Sequence, residues 1–140
     1  MKFNHRKSAG MSLIELLTVV SIVAILAAIA IPSYTTYVTK TNRAAARACM
    51  SEGAQFLERF YTTNMTYVGG TLALGCATES SLNTRYTIDL SPASTQRTYT
   101  IRATPIGAQL SRDTECGVLT VNQAGLRTEG GTATSTNQCW

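Results

Sequence analysis

The sequence predicts an α+β fold, with one long N-terminal helix packed on a small antiparallel sheet of about four strands. Three patterns predict it. An apolar block runs from Met11 to Ile31, a stretch with apolar residues at helical spacing follows, and short runs of period-two alternation come only after both. Helix first and strands afterwards is the order of an α+β layer, not of alternating βα units. The 140 residues have room for one domain. With 44% apolar and only 14% charged residues, the chain is unlike a disordered one, which combines low hydrophobicity with high charge. The apolar residues concentrate near the N-terminus, which argues against a multi-pass membrane protein.

The helix begins with the block MSLIELLTVVSIVAILAAIAI, residues 11–31. At about 1.5 Å per residue it is long enough to cross a hydrocarbon core of roughly 30 Å. Lys2, Arg6 and Lys7 precede it without an acid, and basic residues are retained on the cytoplasmic side. The start is therefore expected inside, and everything after about Pro32 is expected outside. The formal charge of +4 belongs mostly to this leader; without it the basic residues outnumber the eight acidic ones by one.

Three readings of the block compete: a plain signal anchor, a secretory signal peptide cut after Ala30 behind Ala28-Ile29-Ala30, and a leader cut after Gly10 that leaves the apolar helix in place. Glu15 separates them. A carboxylate inside a spanning helix costs on the order of 2.5–3.5 kcal/mol and marks function. An anchor or a disposable signal has no use for it. Cleavage after Gly10 supplies one, because the new amine on Met11 lies four residues before Glu15 on the same helical face. Ammonium and carboxylate then neutralise each other, within one subunit or between neighbours, and the positive end of the helix dipole favours the same carboxylate.

Lys-Ser-Ala-Gly followed by Met-Ser-Leu-Ile-Glu-Leu-Leu, with Pro32 beyond it, resembles the class III signal of type IV pilins and their pseudopilin relatives. The resemblance implies the type IV pilin fold. It also implies cleavage by a prepilin peptidase between Gly10 and Met11, N-methylation of Met11, a role in assembly and register for Glu15, and a helix bend at Pro32. Met11 stands where the family usually has phenylalanine. The Cys116-Gly-Val-Leu-Thr-Val-Asn-Gln-Ala-Gly125 segment and the C-terminal Cys139-Trp140 are similar to PilE-type minor pilins of type IVa pili. The implied organisation is a cleaved leader over 1–10, a transmembrane or filament-core half of the helix over 11–36, and a globular head over 37–140. The implied function is structural. A minor pilin takes part in pilus assembly or initiation and so in twitching motility, adhesion or DNA uptake. Its implied partners are other major and minor pilins, the prepilin peptidase, the inner-membrane assembly platform, and the inner membrane itself before the head emerges with the extracellular pilus. A type II secretion pseudopilin and a pilin with a DNA- or surface-binding head are the alternatives.

Beyond Pro32 the helix continues to about Thr62 in an amphipathic half. Cys49, Gly53, Phe56, Leu57 and Phe60 recur on one stripe, and Arg43, Arg47, Glu52, Gln55, Glu58 and Arg59 lie on the remaining surface. Thr63 to Arg85 is rich in Gly, Thr, Ser and Asn and reads as mostly irregular loop. Tyr86-Thr-Ile88-Asp-Leu90 and Tyr99-Thr-Ile101-Arg-Ala103 alternate as strands, and Val118–Val121 with Leu126–Thr128 reads as a hairpin around a four-residue loop.

The four cysteines, Cys49, Cys76, Cys116 and Cys139, all fall on the exported side, where an even count suggests two disulfides. Three pairings are open. The sequential one is favoured, since Cys49 with Cys76 fastens the loop to the helix and Cys116 with Cys139 tethers the tail to a strand. The second bridge resembles the C-terminal disulfide loop of type IV pilins. No C-x-x-C pair exists and the one histidine, His5, is in the leader, so no metal or other cofactor is expected. No catalytic motif is present either, so neither an enzyme nor a small-molecule substrate is expected. Glu79, Asp89, Asp113, Glu115 and Glu129 read as solvated surface acids. Arg85, Arg97, Arg102, Arg112 and Arg127 could contact nucleic acid with Tyr86 and Tyr99 as stacking partners. The tyrosines share the alternation of Ile88 and Ile101, however. Core positions suit them better, and DNA contact ranks behind the structural role.

Overall fold

The computed structural model describes residues 10–72, 74–79 and 81–140. Lys2, His5, Arg6 and Lys7 of the leader lie outside the described residues, as does the side chain of Glu79. The chain forms two compact units that part between Thr35 and Thr36. One helix, α1 (Leu13–Asn64), runs through that boundary, with Pro32 inside it.

In the first unit the apolar side chains of α1 face outward all round, with Leu13, Ile14, Ile25, Ile29 and Ile31 all well exposed. A helix apolar on every face is stable only in lipid or among other apolar helices. It is the one described helix long and apolar enough to cross a membrane. Three of its hydroxyls are served within the helix. Thr18 Oγ1 donates to the Glu15 carbonyl at 2.9 Å, Ser21 Oγ to Leu17 at 2.8 Å and Thr35 Oγ1 to Pro32 at 2.9 Å. Hydrocarbon requires this, because no water is there to accept those protons.

The second unit is a layer of helix on sheet. Strands β1 (Tyr86–Leu90), β2 (Thr100–Pro105), β3 (Leu119–Asn122) and β4 (Arg127–Glu129) form an antiparallel sheet in chain order. Ile88 pairs with Ala103, Ile101 with Val121, and Leu119 with Glu129. Along β2, Ile101, Ala103 and Pro105 point inward while Thr100, Arg102 and Thr104 are half-exposed. Ala46, Cys49, Met50, Gly53 and Leu57 of α1 are buried in the same core as Tyr86, Ile101, Ala103 and Leu119. Gly53 makes room for that packing, since a Cβ there would lie 3.1 Å from Leu72 Cδ2 and 3.3 Å from Ile101 Cδ1. The β3–β4 turn is held by Asn122, whose Oδ1 accepts from the amides of Ala124 and Leu126, both at 3.0 Å. Gly125, at φ 72°, takes the left-handed position the turn needs.

One expectation is corrected and two are filled in. Phe56 was placed on the buried stripe but is 41% exposed, because the core-facing positions are Gly53 and Leu57 on either side of it. The segment from Thr63 to Arg85 is mostly irregular, as expected, with two short regular elements that were not foreseen. It contains α2 (Gly75–Glu79) and a 3₁₀ turn (Leu82–Thr84), ordered by the Cys76 bridge and the burial of Leu82. The connection from β2 to β3 carries a helix, α3 (Gly107–Arg112), which no local pattern announced.

Candidate functional site

The residues expected to govern processing and assembly lie at the start of the first unit. Gly10 and Met11 are exposed, and Met11 precedes α1 by two residues. Glu15 is exposed in the first turn of α1, where its amide and that of Leu16 donate to the Ser12 carbonyl, both at 3.1 Å. That position puts the carboxylate at the positive end of the helix dipole.

In the head, Cys49 is joined to Cys76 and Cys116 to Cys139, with Cα separations of 5.7 and 5.5 Å. The first bridge ties α1 to α2. The second ties the segment before β3 to the C-terminal tail, whose Gln138 and Cys139 lie against α1.

Sequence reasoning missed the polar centre of the head. Arg43 and Asp113 were read as surface residues, yet they are 6% and 1% exposed. The Arg43 guanidinium forks onto the carboxylate, with Nη2 at 2.6 Å from Oδ1 and Nε at 3.1 Å from Oδ2. The Tyr86 hydroxyl donates to the same Oδ2 at 2.6 Å and Gln109 Nε2 at 3.0 Å. Gln109 also reaches the Thr39 carbonyl at 3.1 Å. This network ties α1, β1 and α3 together through a fully used carboxylate. Burial, and then the hydrogen bond to Asp113, push the Tyr86 hydroxyl pKa above the ordinary tyrosine value.

A second cluster gathers Tyr61, Tyr67 and Tyr99, with ring centroids 4.5 Å apart for the first pair and 4.9 Å for the second. The hydroxyls of Tyr67 and Tyr99 both donate to Glu58 at 3.1 Å. Desolvation, then the Glu58 carboxylate, raise the Tyr67 pKa to about 12. Tyr86 and Tyr99 are thus buried with their hydroxyls committed, and neither offers a face on which a base could stack.

The remaining cations differ in their freedom. Arg102 is held by Asp89 across the β1–β2 ladder at 3.0 Å. Arg85, Arg97, Arg112 and Arg127 have no carboxylate within ion-pair distance among the described residues. Arg97 and Arg112 are exposed, and the Arg127 guanidinium stands over the Trp140 ring at 5.2 Å. No cluster of metal-ligating side chains occurs among the described residues.

The family described as "Type IV minor pilin ComP, DNA uptake sequence receptor" matches residues 32–120, which include most of the head. The chain belongs to this family. The "Prokaryotic N-terminal methylation motif" matches residues 5–31, a span that includes Gly10, Met11 and Glu15. No curated protein matches the chain by sequence. The fold of this minor pilin is that of two solved structures. The non-core minor pilin PilV of Neisseria meningitidis is 22% identical at a TM-score of 0.52, over 72% of this chain and 95% of its own. A type IV pilin from Shewanella oneidensis is 24% identical at a TM-score of 0.52, over 73% of this chain and 97% of its own. The minor pilin is therefore a structural subunit of a type IV pilus, anchored by its apolar N-terminal helix.

Proposed function

We propose that this minor pilin is made as a membrane-anchored precursor, processed between Gly10 and Met11, and assembled into a type IV pilus in which its head serves DNA uptake. The leader charges of Lys2, Arg6 and Lys7 favour a cytoplasmic start and an exported head. A prepilin peptidase removes residues 1–10, and Met11 is N-methylated. Its ammonium then becomes the partner of Glu15, Pro32 loosens the helix, and residues 11–36 exchange lipid for the apolar helices of major and minor pilins. Lipid tails are as apolar as leucine, so packing and the Glu15 pairing must favour the assembled state. The methylation-motif match over residues 5–31 supports this sequence of events.

The observation that carries the DNA reading is the match of residues 32–120 to a DNA uptake sequence receptor family. It raises nucleic acid above the rank that residue spacing alone assigned to it. The geometry fits contact by arginine with phosphates and groove edges, since Arg97, Arg112 and Arg127 are exposed without an acid partner while the candidate stacking tyrosines are buried. The test is retention of duplex DNA by the full chain in detergent as salt is raised. A phosphate contact adds about 0.9 to the slope of log affinity on log salt, so Arg97→Ala and Arg127→Ala should each flatten the slope by about that amount. Binding with no salt dependence, or no binding at low salt, refutes the reading.

A further inference from the structure

Lys40, Arg43 and Arg47 recur on one face of α1 and line one cavity of about 340 Å³ with Glu115, Gln138 and Cys139. Their circumstances differ. Arg43 is committed to Asp113, with Nη1 3.4 Å from the Gln138 carbonyl. Neither Lys40 nor Arg47 has a carboxylate within ion-pair distance among the described residues. The Arg47 Nε is buried with no acceptor at all. Arg47 itself is half-exposed, so its guanidinium edge remains open to an acceptor that the head does not supply.

The charge balance indicates which kind. Three cations stand against the carboxylates of Glu115 and Asp113, which leaves one positive charge for a monoanion. A phosphodiester meets that need, because it carries one negative charge, only accepts hydrogen bonds, and offers two oxygens that a guanidinium edge can take together. The order of residues along the chain indicates its source. The apolar block ends at Ile31, Tyr34 and Tyr37 follow, each 69% exposed, and then come Lys40, Arg43 and Arg47. Hydrocarbon, aromatic belt and cation is the order in which a helix meets the tails, interface and phosphates of a leaflet. We infer that the Lys40–Arg47 cavity holds the phosphodiester of an anionic phospholipid headgroup, with the Arg47 guanidinium and Lys40 Nζ as donors. The bound headgroup retains the subunit at the bilayer surface and must be released when the subunit enters a filament.

The test follows the Arg47 Nε–H resonance of the full chain in a phosphate-free detergent during titration with dihexanoyl phosphatidylglycerol. A saturable shift at Arg47 is expected. Arg47→Gln should weaken lipid retention by about tenfold or more, and Lys40→Gln, a change at an exposed site that leaves the fold alone, by a few-fold. Arg59→Gln, in a different cavity with Glu52 and Phe56, should leave retention unchanged. The inference is overturned if the lipid leaves Arg47 unmoved, or if inorganic phosphate gives the same shift at the same concentration, which assigns a free anion. It is overturned equally if duplex DNA moves the resonance at lower concentrations than the lipid does.

Discussion

Replacing Asp113 by asparagine should do more damage than any other single-atom change in the head. Its carboxylate accepts four hydrogen bonds and is 1% exposed. Three of them converge on Oδ2, from Arg43 Nε at 3.1 Å, the Tyr86 hydroxyl at 2.6 Å and Gln109 Nε2 at 3.0 Å. If the asparagine oxygen keeps those three, its amide nitrogen must face Arg43 Nη2 across the present 2.6 Å contact, donor against donor. If it turns the other way, three donors face an NH₂. In both cases the Arg43 cation, 6% exposed, loses its counter-charge. Removing one member of a buried pair costs about 3–5 kcal/mol, against a total stability of about 5–15 kcal/mol for a domain of ordinary size. The assay is urea unfolding of the full chain in detergent with both disulfides intact, followed by the fluorescence of Trp140, the only tryptophan. Arg43→Met combined with Asp113→Leu should recover part of the loss, because the second change removes the need for the first charge. By contrast Asp89→Asn, in a pair whose side chains are each 40% exposed, should scarcely move the midpoint. An Asp113→Asn variant within about 1 kcal/mol of the parent, or a double variant as damaged as the two single changes added together, refutes the reasoning.

Three further outcomes follow from the same structure. Gly131→Ala should destabilise the C-terminal region in the same urea assay, because a Cβ at that position would run into the Glu115 carbonyl, and the obstacle is backbone that cannot turn aside. The tyrosine cluster should make the head alkali-sensitive. Tyr67 keeps its proton up to about 12 in the fold, whereas an unfolded tyrosine gives it up near 10.0, so the stabilisation is complete below pH 10 and is lost as pH rises through 12. Ionisation of Tyr67 itself ahead of unfolding, followed by its own ring resonances, would contradict this. Finally, Glu15→Gln should leave cleavage after Gly10 intact by mass and N-terminal sequence, while incorporation into sheared filaments falls at least tenfold. Normal incorporation would show that the Met11–Glu15 pairing is not what selects the assembled state.

The features legible in the sequence are those whose physics is local. The period-two runs from Tyr86 and Tyr99 became β1 and β2 with shifts of a residue or two at the ends, and the hairpin loop of Asn122 to Gly125 announced itself through the turn chemistry of Asn and Gly. Arg43 is the instructive failure. It lies at the same spacing as Ala46, Met50, Gly53 and Leu57, so its place on the buried stripe was written in the periodicity and was overridden by its charge. What neutralises it stands 70 residues later on Asp113, directly after α3. That helix has six residues and no side-chain cap, too few to overcome the cost of nucleation alone, so the contacts of Gln109 with Thr39 and Tyr86 hold it in place. No window along the chain contains that information. The same limit applies to DNA. Arginines that meet phosphates need not be neighbours in sequence, only on one surface, so their spacing could neither propose nor exclude a receptor. A buried, unpaired Arg47 Nε is visible only once the helix has been packed against the tail. The charges of this head therefore find their partners through tertiary structure, and a change to those partners shows which of them serve the fold.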